Sequence, residues 1–227
     1  MKSSAKKLIH SITAFTLLDY PDKTACILWF AGCNMKCSYC YNPEIVFGKG
    51  NYTIPELLSF LEKRKNLLDA VVFSGGECLL YPDVLELMTL VKKMGFLIKV
   101  DTNGSIPLRL QQAIDLEMID YVALDFKAPL SKTKSITKAD FYEHFIQCVA
   151  ILQEAQIPFE VRTTVHSDLL DESDLKEMIS ILEEKQYRGN YYLQSFRNGV
   201  ETIEKMNPSK FKAFTHLSTE TIWVQMR

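Results

Sequence analysis

The 227-residue chain lacks any apolar run approaching the ~20 residues that cross a bilayer. It also lacks a charge excess, with 26 Lys and Arg against 28 Asp and Glu and a formal net charge of -2. That balance makes no electrostatic case for nucleic acid as a partner, and no membrane partner is expected. Repeats, low-complexity tracts and obvious linkers are missing too. The opening residues Met1-Lys2-Ser3-Ser4-Ala5-Lys6-Lys7 are basic, but no long apolar stretch follows, so no secretory signal is expected. Histidine is scarce: His10, His144, His166 and His216 are scattered along the chain. A closed zinc site wants four Cys or His ligands, usually in two separated pairs, and no second pair is present. The expected compartment is the cytoplasm, where thiols stay reduced, which also disfavours a disulfide knot.

What the chain does have is cysteine concentrated in one place. Three of its 6 cysteines, Cys33, Cys37 and Cys40, stand at C-x3-C-x2-C spacing directly after the apolar run 25–30. Thiolates are soft ligands that suit Fe–S clusters, zinc or Cu(I). Three of them can hold three corners of a cubane cluster, whose full protein ligation needs a fourth. If no fourth cysteine joins them, one iron stays open to another ligand. Cys26 and Cys148 lie in apolar patterns and read as core residues; Cys78 reads as a turn residue.

The length suits one domain with a sizeable core. An entry strand or loop is expected over 9–18, and strand-like apolar segments over 24–30, 69–74, 96–100, 121–124, 159–165, 191–196 and, at the end, 221–226. Helical patterns are expected after Thr53 with Pro55 in the first turn, over 84–94 closed by Gly95, over 108–118, over 139–156, over 173–185 capped by Ser173, and over 210–217. Residues 131–138 are polar and read as a mobile loop. Strand and helix alternate about six times, the pattern of βαβ units around a parallel sheet. Such units curl into a barrel or an open doubly wound sheet, and sites sit at the strand C-termini. The polar signals fall there: the cysteine loop, Ser74-Gly75-Gly76-Glu77, Asp101-Thr102-Asn103-Gly104, Asp125 with Lys127, and Arg162. His166 reads as a polar loop residue.

Gly75 and Gly76 let backbone approach closely, and Glu77 can accept hydrogen bonds from an ammonium group. Asp101 and Asp125 suit a ribose, a cation or a turn. Lys127 and Arg162 suit a carboxylate, or plain surface charge.

Cys33, Cys37, Tyr39 and Cys40 together resemble the C-x3-C-x-aromatic-C motif of radical S-adenosylmethionine (SAM) enzymes. Phe73-Ser74-Gly75-Gly76-Glu77 resembles the loop that takes SAM's amine in that superfamily. The resemblance implies a partial (β/α)6 TIM-like barrel, an α/β fold, as a single radical SAM domain over residues 1–227. It implies a [4Fe–4S] cluster on Cys33, Cys37 and Cys40 whose free iron binds SAM. Reductive cleavage then yields methionine and a 5′-deoxyadenosyl radical that abstracts hydrogen, with no catalytic side chain beyond the cluster and SAM site.

Within the superfamily, Phe15-Thr16-Leu17-Leu18-Asp19-Tyr20-Pro21-Asp22-Lys23 and Tyr41-Asn42-Pro43-Glu44 resemble glycyl-radical-enzyme activases. The activating proteins of anaerobic ribonucleotide reductase are the most similar group, with pyruvate formate-lyase activases near. By that resemblance Tyr39, Ser74, Gly75, Gly76, Glu77, Asp101, Thr102, Asn103 and Asp125 lie about SAM, with a monovalent cation beside it. Lys127 and Arg162 reach SAM's carboxylate side. The partners implied are a glycyl radical enzyme and a flavodoxin or ferredoxin as electron donor. Tyr41 stands where activases usually have His, Cys78 where they have Pro, and Gln194 near a common His. The alternatives are a radical SAM enzyme for a small molecule of the 7-deazaguanine kind, and a non-catalytic iron–sulfur electron-transfer protein.

Overall fold

The computed structural model describes residues 7–227, so the basic opening stretch, apart from Lys7, lies outside the described residues. The chain divides into two compact units. The first runs through Asn34 and includes Glu44–Thr102 and Leu108–Val122; the second comprises Met35–Pro43, Asn103–Pro107 and Ala123–Arg227.

In the first unit, β1 (Ile9–Thr16) pairs antiparallel with β2 (Ala25–Phe30), with Ile9 opposite Phe30. A short helix α1 (Pro43–Val46) begins at the unit boundary. Thr53 caps α2 (Ile54–Glu62) in a reciprocal box: Glu56 N–H donates to its hydroxyl, and its own N–H donates to the Glu56 carboxylate at 2.8 Å. β3 (Ala70–Gly75) runs parallel to β2, from Ala25 opposite Ala70 to Phe30 opposite Gly75. After α3 (Val84–Lys93), Gly95 turns at a φ of 92°, and β4 (Leu97–Thr102) adds parallel to β3. β2 is apolar on both faces, as a strand covered on both sides must be. Ala25 and Ile27 join Tyr20, Ala70 and Val72 in one cluster, while Cys26, Leu28 and Phe30 are equally buried on the other side. α4 (Pro107–Asp115) follows, and β5 (Tyr121–Asp125) is where the chain passes from the first unit to the second.

In the second unit, α5 (Leu130–Thr137) and α6 (Tyr142–Glu154) precede β6 (Phe159–Val165). α7 (Glu172–Glu184) leads to β7 (Gly189–Ser195), parallel to β6, and β8 (Ile222–Met226) is parallel to β7. Within the first unit the strands lie in the order β1-β2-β3-β4, and within the second in the order β6-β7-β8. The fold is α/β with a mostly parallel sheet, as the alternation of patterns implies.

Four local expectations need correction. Residues expected as a mobile loop form α5, because its threonines behave as core residues. Thr133 and Thr137 are buried, and each hydroxyl donates back to a carbonyl one turn earlier, Pro129 O at 2.9 Å and Thr133 O at 2.8 Å. α6 starts at Tyr142, three residues later than its pattern suggests. The cap of α7 is Asp171, not Ser173: its carboxylate accepts from Ser173 N–H at 2.8 Å and Asp174 N–H at 3.1 Å. The helix expected over 210–217 shrinks to one 3-10 turn, Thr215–Leu217.

Candidate radical SAM site

β2 delivers the cysteine loop. Gly32, at a φ of 81°, turns the chain, and its N–H donates to Ile45 O at 2.8 Å. None of the three loop thiols is in a disulfide; Cys37 is buried, and Cys33 and Cys40 are partly exposed. Burial pushes the Cys37 thiol up to about 11, against the pull of the nearby Lys127 ammonium. Tyr39 is buried beside Lys127 and Cys37, with its hydroxyl pushed well up, chiefly by burial. The hydroxyls of Ser38 and Tyr39 have no hydrogen-bond partner among the described residues.

In the first unit, the turn after β3 is built by close backbone contact. A Cβ on Gly76 would lie 1.8 Å from Gly32 O, and one on Gly75, at a φ of 110°, would lie 2.5 Å from Phe30 N. Gly76 N–H donates to Phe30 O at 2.8 Å and Glu77 N–H to Gly32 O at 3.0 Å. The glycines therefore let the turn seat on the end of β2. Glu77 is fully buried; its carboxylate accepts from Leu79 N–H at 3.0 Å and from the Thr102 hydroxyl. Ser74 donates to Asp101 at 3.0 Å. Cys78, in the 3-10 turn Cys78–Leu80, is fully buried with its thiol 3.6 Å from Asp101 O.

Sequence reasoning missed Lys99, which is 2% exposed and ion-paired with Asp101. The signal was available, since residues i and i+2 of a strand share a face.

In the second unit, the same i, i+2 spacing brings Lys127 Nζ to 2.9 Å from Asp125, and Arg162 Nε lies 2.9 Å from its other oxygen. Burial raises the Asp125 carboxyl, but Arg162 and then Lys127 outweigh it and hold it below the usual carboxylate range. Burial likewise opposes the charge on Lys127, yet Asp125, Tyr39 and Cys37 hold its pKa well above the usual value. Asn103 closes a turn through Ser105 N–H at 3.0 Å. It lines a cavity of about 10 Å3 with Asp125 and Lys127.

Residues 27–184 match the radical SAM superfamily. The chain belongs to that superfamily. A Methanocaldococcus jannaschii protein, named provisionally as a glycyl-radical enzyme activating enzyme, is 31% identical to this radical SAM protein over 186 residues, 79% of this chain and 77% of the relative. The pyruvate formate-lyase-activating enzyme of Clostridium pasteurianum is 39% identical over 103 residues, 42% of this chain and 43% of that enzyme. Among solved structures, SuiB of Streptococcus suis bound to S-adenosylmethionine is similar in fold, with a TM-score of 0.64 at 13% identity, over 86% of this chain and 48% of that one.

Membership implies a [4Fe–4S] cluster and SAM. The donor set fits: three soft thiols in one loop, none in a disulfide. Among the described residues no three His, Cys, Asp or Glu side chains converge on one ion. A cubane does not require that, since its thiolates ligate separate irons. Among the described residues, too, no helix is long and apolar enough to cross a membrane.

Proposed function

We propose that this protein is a glycyl-radical-enzyme activase, a single radical SAM domain over residues 1–227 that acts in the cytoplasm. The observation that carries the reading is the likeness, over most of both chains, to a relative named for that activity, in a chain none of whose loop thiols is in a disulfide. Cys33, Cys37 and Cys40 would hold the cluster, which when bound and reduced supplies the electron that cleaves SAM for hydrogen abstraction.

The chain's own residues bind and orient. The turn at Ser74, Gly75, Gly76 and Glu77 presents a buried carboxylate, with Thr102 setting its position, as the acceptor for SAM's ammonium. Lys127 and Arg162, both paired with Asp125, carry the charge that suits SAM's carboxylate. Asp101, Asn103 and Asp125 flank SAM and a monovalent cation, and Tyr39 packs beside the cluster. The partner is anaerobic ribonucleotide reductase, whose backbone glycine loses the hydrogen atom, and a flavodoxin or ferredoxin supplies the electron.

The test is anaerobic loading with iron and sulfide, reduction, addition of SAM, and assay of 5′-deoxyadenosine with and without that reductase. A glycyl radical signal by electron paramagnetic resonance supports the whole reading. 5′-Deoxyadenosine without a radical on that partner keeps SAM cleavage and overturns the target. No 5′-deoxyadenosine from a loaded protein overturns the enzymatic reading.

A further inference from the structure

The cysteine loop is held from two sides by segments far away in sequence. On one side Lys36 N–H donates to Thr137 O at 2.8 Å and Ser38 N–H to Ile136 O at 3.0 Å, at the C-terminal end of α5. On the other side Ile203 N–H donates to Cys40 O at 3.1 Å and Glu204 N–H to Ser38 O at 3.0 Å. Cys40 N–H donates to Cys37 O at 3.0 Å within the loop. The backbone between the second and third cysteines is thus bonded on both edges by the protein's own backbone.

The segment that supplies Ile203 and Glu204, residues 198–209, is itself tied down at both ends. The Asn198 side chain donates to Ser209 O at 2.9 Å and accepts from Ser209 N–H at 2.7 Å, closing the base of the loop. The turn after β6 grips the same region. Ser167 N–H donates to Ser209 Oγ at 3.0 Å, and Lys210 N–H to Ser167 Oγ at 3.1 Å. His166 is fully buried. Its Nδ1 accepts from Asp168 N–H at 3.1 Å, so Nε2 carries the hydrogen and donates to Asn207 O at 2.9 Å. The Asn207 amide in turn donates to the Asp168 carboxylate at 3.0 Å. Within the segment, the Thr202 hydroxyl donates to Glu204 O at 2.6 Å. The Lys138–Glu204 ion pair, 2.8 Å, is exposed and contributes little by itself.

We propose that residues 198–209 form a strap that positions Cys37 and Cys40 for cluster binding through the backbone N–H groups of Ile203 and Glu204, with Asn198, Asn207 and His166 as its anchors. The proposal rests on the reading of Cys33, Cys37 and Cys40 as the cluster ligands. These are positioning residues, since none donates to a thiol. Pre-setting the loop lowers the ordering cost of binding, and residues behind metal ligands typically change metal affinity about 10–100-fold.

The test uses the full chain with Glu204→Pro, which deletes one strap N–H, against Glu204→Ala, which keeps it and loses only the exposed ion pair. Asn207→Ala releases an anchor and serves as a second, independent variant. Two readouts follow: amide exchange of the 36–41 peptide in the metal-free protein, and iron loss to a chelator from the loaded, SAM-free protein. Glu204→Pro and Asn207→Ala are expected to speed both about tenfold, with thermal unfolding little changed and Glu204→Ala close to the parent. Folded variants with unchanged exchange and iron loss overturn the strap. Equal effects of Glu204→Ala and Glu204→Pro overturn the backbone role. A parent protein that takes up no iron and sulfide overturns the cluster reading beneath it.

Discussion

The Thr102 hydroxyl lies 3.0 Å from both carboxylate oxygens of Glu77, and both side chains are buried. A carboxylate out of water needs such donors, because stripping it of hydrogen bonds costs more than the bonds themselves contribute. Thr102→Val removes the hydroxyl and keeps the shape. It should destabilise the protein by about 1–3 kcal/mol, read from urea unfolding, while Thr102→Ser should restore most of the loss.

Gly76→Ala should be far more damaging than Gly95→Ala. The new Cβ at 76 meets a backbone oxygen, Gly32 O, at 1.8 Å, whereas at 95 nothing lies within 4 Å. At 95 only the left-handed backbone is strained, roughly 1–2 kcal/mol. At 76 either β2 or the turn must move, and a loss of about 3 kcal/mol or more is expected. Thermal melts of the two variants decide it; equal effects would refute the close contact.

Thiol reactivity in the metal-free protein should follow burial. Cys37 is pushed up to about 11 and Cys26 to about 12, both chiefly by burial, and burial also drives Cys78 well above its usual value. A raised thiol pKa leaves less thiolate at a given pH, and thiolate is the reacting form. Iodoacetamide at pH 8 should label the partly exposed Cys33 and Cys40 first, by peptide mass spectrometry.

Alanine at Cys33, Cys37 or Cys40 should abolish cluster uptake and SAM cleavage alike. Alanine at Cys78 should retain iron and sulfide after anaerobic loading, because that thiol is committed to the Asp101 carbonyl. Loss of the cluster in the Cys78 variant would make it a ligand and close the iron reserved for SAM.

Arg162→Met should make the protein more sensitive to acid. Burial raises the Asp125 carboxyl, and Arg162 is the first of the groups that more than offset it. A carboxyl whose folded pKa is depressed stabilises the fold above its unfolded pKa, and that stability is lost as pH falls through the folded value. Removing the guanidinium lifts the folded value, so the loss begins at higher pH. An acid titration followed by circular dichroism should show the transition displaced upward.

The cysteine spacing, the paired glycines, the helix start at Thr53 and the apolar strands were all legible in the chain, because each is a local pattern of residue types. α5 was not, because Thr133 and Thr137 look like loop residues until their hydroxyls find carbonyls one turn back. Nor was the burial of His166, which is followed by the polar Ser167 and Asp168.

The sequence by itself determined which atoms can do chemistry here: three soft thiols in one loop, a Gly-Gly-Glu turn, and carboxylates and cations at strand ends. Those follow from residue identity and short spacing. Only the tertiary structure decided what holds the thiols in place. The groups that bond the cysteine loop, Ile136, Thr137, Ile203 and Glu204, act through backbone N–H and C=O. Nearly every residue carries that pair, so no residue type marks it, and only the folded chain brings those particular groups into register with the loop.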